Sequence, residues 1–231
     1  MRRKIAVFDL DGTLVNTAPD LLNALNHSLA GDGVAPVVKE GFEAVLGRGG
    51  REMIRQAYLA QKRDLTPETL ERLYRLFIES YAANMPGESL PYPGVVDALG
   101  RFSAAGYALA ICTNKTERLA RALIEGLGLT NHFDAICGAD TFAYAKPDPR
   151  HLIGTIETAG AEPTLAIMIG DSKTDIDAAK AAGIPVVAVD FGYTDRHVAE
   201  FEPSKIISHF DELAVDLADL LISAANGRQH P

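Results

Sequence analysis

The chain has 231 residues, 47% of them hydrophobic, and a net charge of -9; that is enough for one large domain, or for a core with a modest insertion. The acidic surplus argues against a polyanionic partner such as nucleic acid, which needs a basic footprint, and no apolar run is long enough to cross a membrane. The two cysteines, Cys112 and Cys137, sit in separate apolar stretches and read as buried reduced thiols of a cytoplasmic protein rather than as a disulfide framework.

The opening MRRK has the charge of a signal peptide, but only four apolar residues follow it before Asp9, fewer than the ~7–15 such a signal needs. Those four, Ile5 to Phe8, read as a short buried strand that Gly12 breaks into a loop. Alternation along an extended backbone aims Asp9 and Asp11 toward one site, at the strand end where open α/β sheets bind ligands. Thr17 and Asp20 have the spacing of a capping box for a helix over 18–30. Further helices are predicted over 42–46, 52–62 and 67–83, the last capped by Thr66, with no strand between Asn16 and Asn84. Residues 85–94, with three prolines and two glycines, read as a linker.

Beyond the linker the pattern alternates. Strands are predicted over 107–112, 133–136, 165–169 and 186–189, and helices over 117–127, 150–159 and 174–182. Such alternation means βαβ units, a doubly wound parallel sheet. The first strand finds partners only there, so residues 16–92 form an all-helical insertion in an α/β core of residues 1–15 and 93–231. Leucines at 213, 217, 220 and 221 are expected to face the core, and residues 226–231 to fray.

Polar residues gather at the carboxyl ends of the predicted strands: Asp9 and Asp11, Thr113 and Asn114, Asp171 and Ser172, with Lys146 in the loop AKPDP. An aspartate after a strand is often only a turn or helix cap, but the coincidence of four clusters is not explained that way. Three carboxylates, Asp9, Asp11 and Asp171, repel one another unless a cation intervenes, and oxygen-only ligation favours Mg²⁺ over softer metals; the six histidines are scattered singly. A hard cation beside a hydroxyl, backbone amides and a lysine is a receptacle for phosphate. One carboxylate there can act as nucleophile, and a second can exchange protons with the leaving oxygen and with water.

DLDGT at 9–13, TNK at 113–115, KPDP at 146–149 and GDSKTD at 170–175 resemble, in order, the four motifs of the haloacid dehalogenase superfamily. The resemblance implies Asp9 as nucleophile and Asp11 as general acid and base. It also implies Mg²⁺ held by the carboxylates of Asp9 and Asp171 and the backbone carbonyl of Asp11. Thr113 and the Asn114 backbone would bind phosphoryl oxygens, Lys146 would offset their charge, and Ser172 and Asp175 would order metal and lysine from behind. An aspartate at position 11 speaks for phosphate chemistry over dehalogenation, and the inserted helical block for a cap used on small molecules. FDLDGTLVNTAPDL, LGRGG at 46–50, YPGV at 92–95 and TNK are similar to the phosphoglycolate phosphatase branch, which implies 2-phosphoglycolate as substrate; a monomer or homodimer acting on a small phosphorylated metabolite is expected.

Arg48, with Gly49 and Gly50 at a helix start, could hold a substrate carboxylate; the alternative is a solvated loop arginine. Lys115 could face solvent, and Arg51 and Arg55 meet water or nearby acids. The linkers near Asn16 and 86–94 could let the cap close and exclude water. Competing readings are a phosphosugar mutase, pyrophosphatase or nucleotidase of the same superfamily, and a phosphoacceptor receiver module, which has no place for the helical insertion.

Overall fold

The computed structural model describes residues 3–194 and 196–228. Strand β1 (Ile5–Phe8) is the axis of the fold, with all four residues fully buried. Ala6 and Phe8 point into one apolar layer and Ile5 and Val7 into the other, as a strand covered on both faces requires. Around it β4 (Ala108–Cys112), β5 (Ala135–Cys137), β6 (Ala166–Gly170), β7 (Val186–Val189) and β8 (Lys205–Ile207) form a six-stranded sheet in the order β5-β4-β1-β6-β7-β8, every pair parallel. The chain runs outward from β1 to β4 and β5, then returns to β6 on the other side. The carboxyl end of β1 is therefore a topological switch point, where open sheets of this type bind ligands.

Helices α5 (Val95–Ala104), α6 (Glu117–Gly126) and α9 (Val215–Arg228) cover the face of Ala6 and Phe8. Helices α7 (Pro149–Thr158) and α8 (Lys173–Ala181) cover the other. Both cysteines are buried and free, and no described helix is long and apolar enough to cross a membrane.

Helices α1 (Ala18–Ala30), α2 (Glu43–Leu46), α3 (Gly50–Ala60) and α4 (Pro67–Asn84) are built around their own apolar cluster, which reaches the sheet domain through Leu119 and Tyr193. Thr66 accepts from the Thr69 N–H and caps α4 as predicted.

The expectations fail at specific places. Thr17 and Asp20 do not form a capping box. The Thr17 hydroxyl donates to Asp11 within the first crossing, whereas the Asp20 carboxylate accepts from the N–H groups of Glu88 and Ser89 and from the Ser89 hydroxyl, so Asp20 ties the chain's two crossings together. Those crossings pair as a ribbon of β2 (Val15–Asn16) and β3 (Leu90–Pro91), inside stretches read as strand-free and as plain linker. Two-residue strands carry no periodic signal. Helix α5 and strand β8 were not anticipated. Leu213 is buried, but Leu220 is 66% exposed and does not face the core. Helix α9 continues through Arg228 rather than fraying at Asn226, and residues 229–231 lie outside the described part.

Candidate active site

The main chain of β1 stays paired one residue past the strand, the Asp9 N–H donating to the Ile169 carbonyl at 2.9 Å. It then turns, with the Leu10 carbonyl accepting from the N–H groups of Leu14 and Val15. Extended alternation therefore does not orient Asp9 and Asp11; a turn does, and both still line one cavity. Gly12, at φ +85°, makes that turn possible, and a β-carbon there would strike the Asp171 carboxylate.

Lys146 is buried, and its Nζ donates to Asp9 Oδ1 at 2.7 Å and to Asp175 Oδ1 at 2.6 Å. Asp175 in turn accepts from the Ser172 N–H at 3.0 Å and hydroxyl at 2.6 Å, closing a capping box at the start of α8. The Asp171 carboxylate, just past β6, accepts from the Thr13 hydroxyl at 2.8 Å and the Tyr193 N–H at 2.6 Å. Oxygens of Asp9, Asp171 and Asp175 all lie within 4.8 Å of one another.

Burial pushes the Asp9 carboxyl up to about 6, against the pull of Lys146. Burial, then Asp175 and Asp9, raise Asp171 well above the usual carboxylate range. Lys146 shows the opposite balance. Burial disfavours its charge, yet Asp175 and Asp9 hold it above the ordinary lysine range. The cluster thus has more acid than Lys146 neutralises, and among the described residues the side-chain atoms gathered there that could ligate a cation are oxygens, which suits a hard cation. Asp175 is spent on Lys146 and Ser172, so Asp9 and Asp171 carry the lone pairs left for one.

Thr113 follows β4 and is nearly fully buried, and Asn114 beside it donates through Nδ2 to the Lys146 carbonyl at 2.9 Å. All of these approach one cavity of about 210 Å³, which Asp9, Asp11, Thr113, Asn114, Lys146, Asp171, Ser172, Arg48 and Gly49 line; Asp175 stands behind it. Arg48 is exposed at the rim, where Gly49 (φ +83°) precedes α3. Arg51 pairs with Glu71 and Arg55 with Glu52.

Lys115, expected toward solvent, turns inward. Its side chain is 7% exposed, its Nζ donates to both Asp11 oxygens at 2.9 and 3.0 Å, and it lies 4.5 Å from the ring centroid of Tyr81 on α4. The Asp11 carboxylate also accepts from Thr17 at 2.7 Å. A cation two residues past a strand-end threonine was the available sign; the helix that covers it is remote in sequence.

Residues 6–189 match the haloacid dehalogenase-like hydrolase family. A phosphoglycolate phosphatase of Mesorhizobium japonicum is 62% identical over 225 residues, which is 97% of this chain and 99% of that protein. Among solved structures, a predicted phosphoglycolate phosphatase from Haemophilus somnus superposes with a TM-score of 0.85 at 28% identity, covering 92% of this chain and 97% of that one. CbbY from Rhodobacter sphaeroides, in complex with phosphate, gives 0.79 at 29% identity, covering 95% and 100%. With the ordered motifs meeting at the switch point of a parallel sheet, the chain belongs to the haloacid dehalogenase-like hydrolase family, among its phosphatases.

Proposed function

We propose that this phosphatase hydrolyses 2-phosphoglycolate to glycolate and phosphate in a Mg²⁺-dependent reaction that passes through an aspartyl-phosphate on Asp9. The observation that carries the chemistry is the buried set of Asp9, Asp171 and Lys146 opening on one small cavity. The substrate follows from the similarity to phosphoglycolate phosphatases along nearly the full chain. A cavity of about 210 Å³ is smaller than the ~300 Å³ at which drug-sized sites begin, which favours a small metabolite.

Asp9 attacks phosphorus as the bond from phosphorus to the ester oxygen breaks, and Asp11 gives its proton to that oxygen. Asp11 then takes a proton from water as the water oxygen attacks the phosphorus of the aspartyl-phosphate. Phosphate leaves and the Asp9 carboxylate is restored. Thr113, the Asn114 backbone and Lys146 offset charge on the transferring oxygens, while Ser172 and Asp175 hold Lys146 and the neighbouring carboxylates in place. The carboxylates of Asp9 and Asp171 and the Asp11 carbonyl would hold the Mg²⁺ ion, which would supply the positive charge that lets phosphate and carboxylates share this pocket. Residues 16–92 act as a cap domain over a core of residues 1–15 and 93–231, with Arg48 and Gly49 on the cap side of the cavity.

Turnover across a panel of phosphomonoesters tests the assignment. Phosphoglycolate is expected to exceed ethyl phosphate, which has the same phosphate and no carboxylate, and chelation is expected to stop both reactions until Mg²⁺ is restored. Equal kcat/KM values would sink the substrate, and turnover indifferent to chelation would sink the metal. For Arg48→Ala a several-fold rise in KM for phosphoglycolate is expected, because a contact from an exposed side chain is worth only about 0.2–1 kcal/mol. An unchanged KM would remove Arg48 from substrate capture.

A further inference from the structure

Two hydrogen-bond donors at the inner end of the cavity have no common acceptor. Tyr81 is 1% exposed, and its hydroxyl proton has no acceptor, since the polar group that lies close to it is the Lys115 ammonium, itself a donor. Leaving a buried phenol unpaired costs roughly 1–3 kcal/mol, so native cores rarely do it without reason. The Lys115 Nζ has three N–H donors, and its hydrogen bonds both go to the Asp11 carboxylate. Both residues line the same cavity as Asp9 and Thr113. One comes from the cap side and the other from the sheet, so the pair is complete only when the two parts meet.

An acceptor able to reach both donors must present two oxygens or one oxygen with two free lone pairs, and the surrounding ammonium favours a negative one. In a cavity of about 210 Å³ a compact carboxylate beside the phosphate meets both requirements. Resting on the reading of this site as a phosphoglycolate phosphatase, we infer that Lys115 and the Tyr81 hydroxyl form the subsite for the substrate carboxylate and set the preference for carboxylated phosphomonoesters. Arg48, exposed at the rim, has its contribution screened by water. The buried pair works where water is excluded, so discrimination falls to it.

The test is the ratio of kcat/KM for phosphoglycolate to that for ethyl phosphate in wild type, Tyr81→Phe and Lys115→Met, all with Mg²⁺. Phenylalanine keeps the ring that stacks on Phe77 and faces Lys115, so thermal melts should stay near wild type. The ratio is expected to fall on the order of tenfold in each variant, as for the loss of a hydrogen bond to a charged group. A structural defect would slow both substrates alike and leave the ratio where it was, which overturns the inference. Glycolate, tested alone as an inhibitor of ethyl phosphate turnover, is expected to lose potency in Tyr81→Phe by a similar factor, and equal potency in both proteins would also overturn it. Wild type without a carboxylate preference would defeat the substrate assignment and the subsite together. A wild-type preference retained by both variants would defeat the subsite alone.

Discussion

Replacing Asp9 by asparagine is expected to abolish turnover while leaving the fold as stable as before or more so. An amide is a poor nucleophile, and removing the nucleophile of a covalent mechanism costs on the order of 10⁴-fold or more in kcat. The stability expectation has a separate cause. Burial lifts the Asp9 carboxyl to about 6, above its unfolded value, so the native state favours the protonated form. The charged form therefore costs stability at neutral pH, and the cost disappears as pH falls through the folded value. Asparagine removes that charge and can still accept the Lys146 hydrogen bond through its amide oxygen. Single-turnover assays with Mg²⁺, paired with melts of the metal-free protein at neutral pH, measure both effects. Activity near wild type would take the nucleophile's role from Asp9, and a large drop in Tm would mean that its charge supports the fold.

Lys146→Met should fail in both respects. Lys146 is the only cation hydrogen-bonded to Asp9 and Asp175 among the described residues, and all three side chains are largely buried. Breaking a buried ion pair by removing one partner costs about 3–5 kcal/mol, which for a chain of this size lowers Tm by roughly 10 °C. Catalysis should fall about 10²–10³-fold, the usual loss when one preorganised donor to a developing oxyanion is removed. The contrast with Asp9→Asn is the useful part. Both changes remove one charge from the same cluster, but one relieves its excess of acid and the other deepens it. If Lys146→Met melted with wild type, the charge balance drawn from the cluster would be wrong.

What was readable in advance follows from how each feature is encoded. The strand at 5–8 and the strand at 186–189 appear as predicted because a fully buried strand must be an unbroken apolar run. Helix α1 likewise spans 18–30 because its leucines recur on one face. Helix α5 buries Val95, Ala98, Leu99 and Phe102 as a stripe, but the prolines and glycines just before it mask its start in the sequence. Asp9, Thr113, Lys146 and Asp171 could be picked out because each stands at or near a strand end in a short motif. Asp11, Thr17 and Lys115 show the limit of that method. Thr17 looked like a helix cap by spacing and is a partner of Asp11 instead, and Lys115 looked solvated because its own helix start says nothing of Tyr81 above it.

Local order along the chain was enough to establish the α/β class, the helical insertion and the acids that meet at the sheet edge, because apolar periodicity and strand-end placement are properties of neighbouring residues. Which side chain pairs with which depended on packing between segments far apart in the chain. Asp175 rather than Asp11 joins Asp9 and Asp171 in the acidic cluster, and α4 brings Tyr81 over Lys115, because these contacts are chosen by how the cap helices and the sheet bury their faces against each other. Burial then sets the charges: the same carboxyl that would titrate as an ordinary aspartate in the unfolded chain is pushed upward once water is removed from around it.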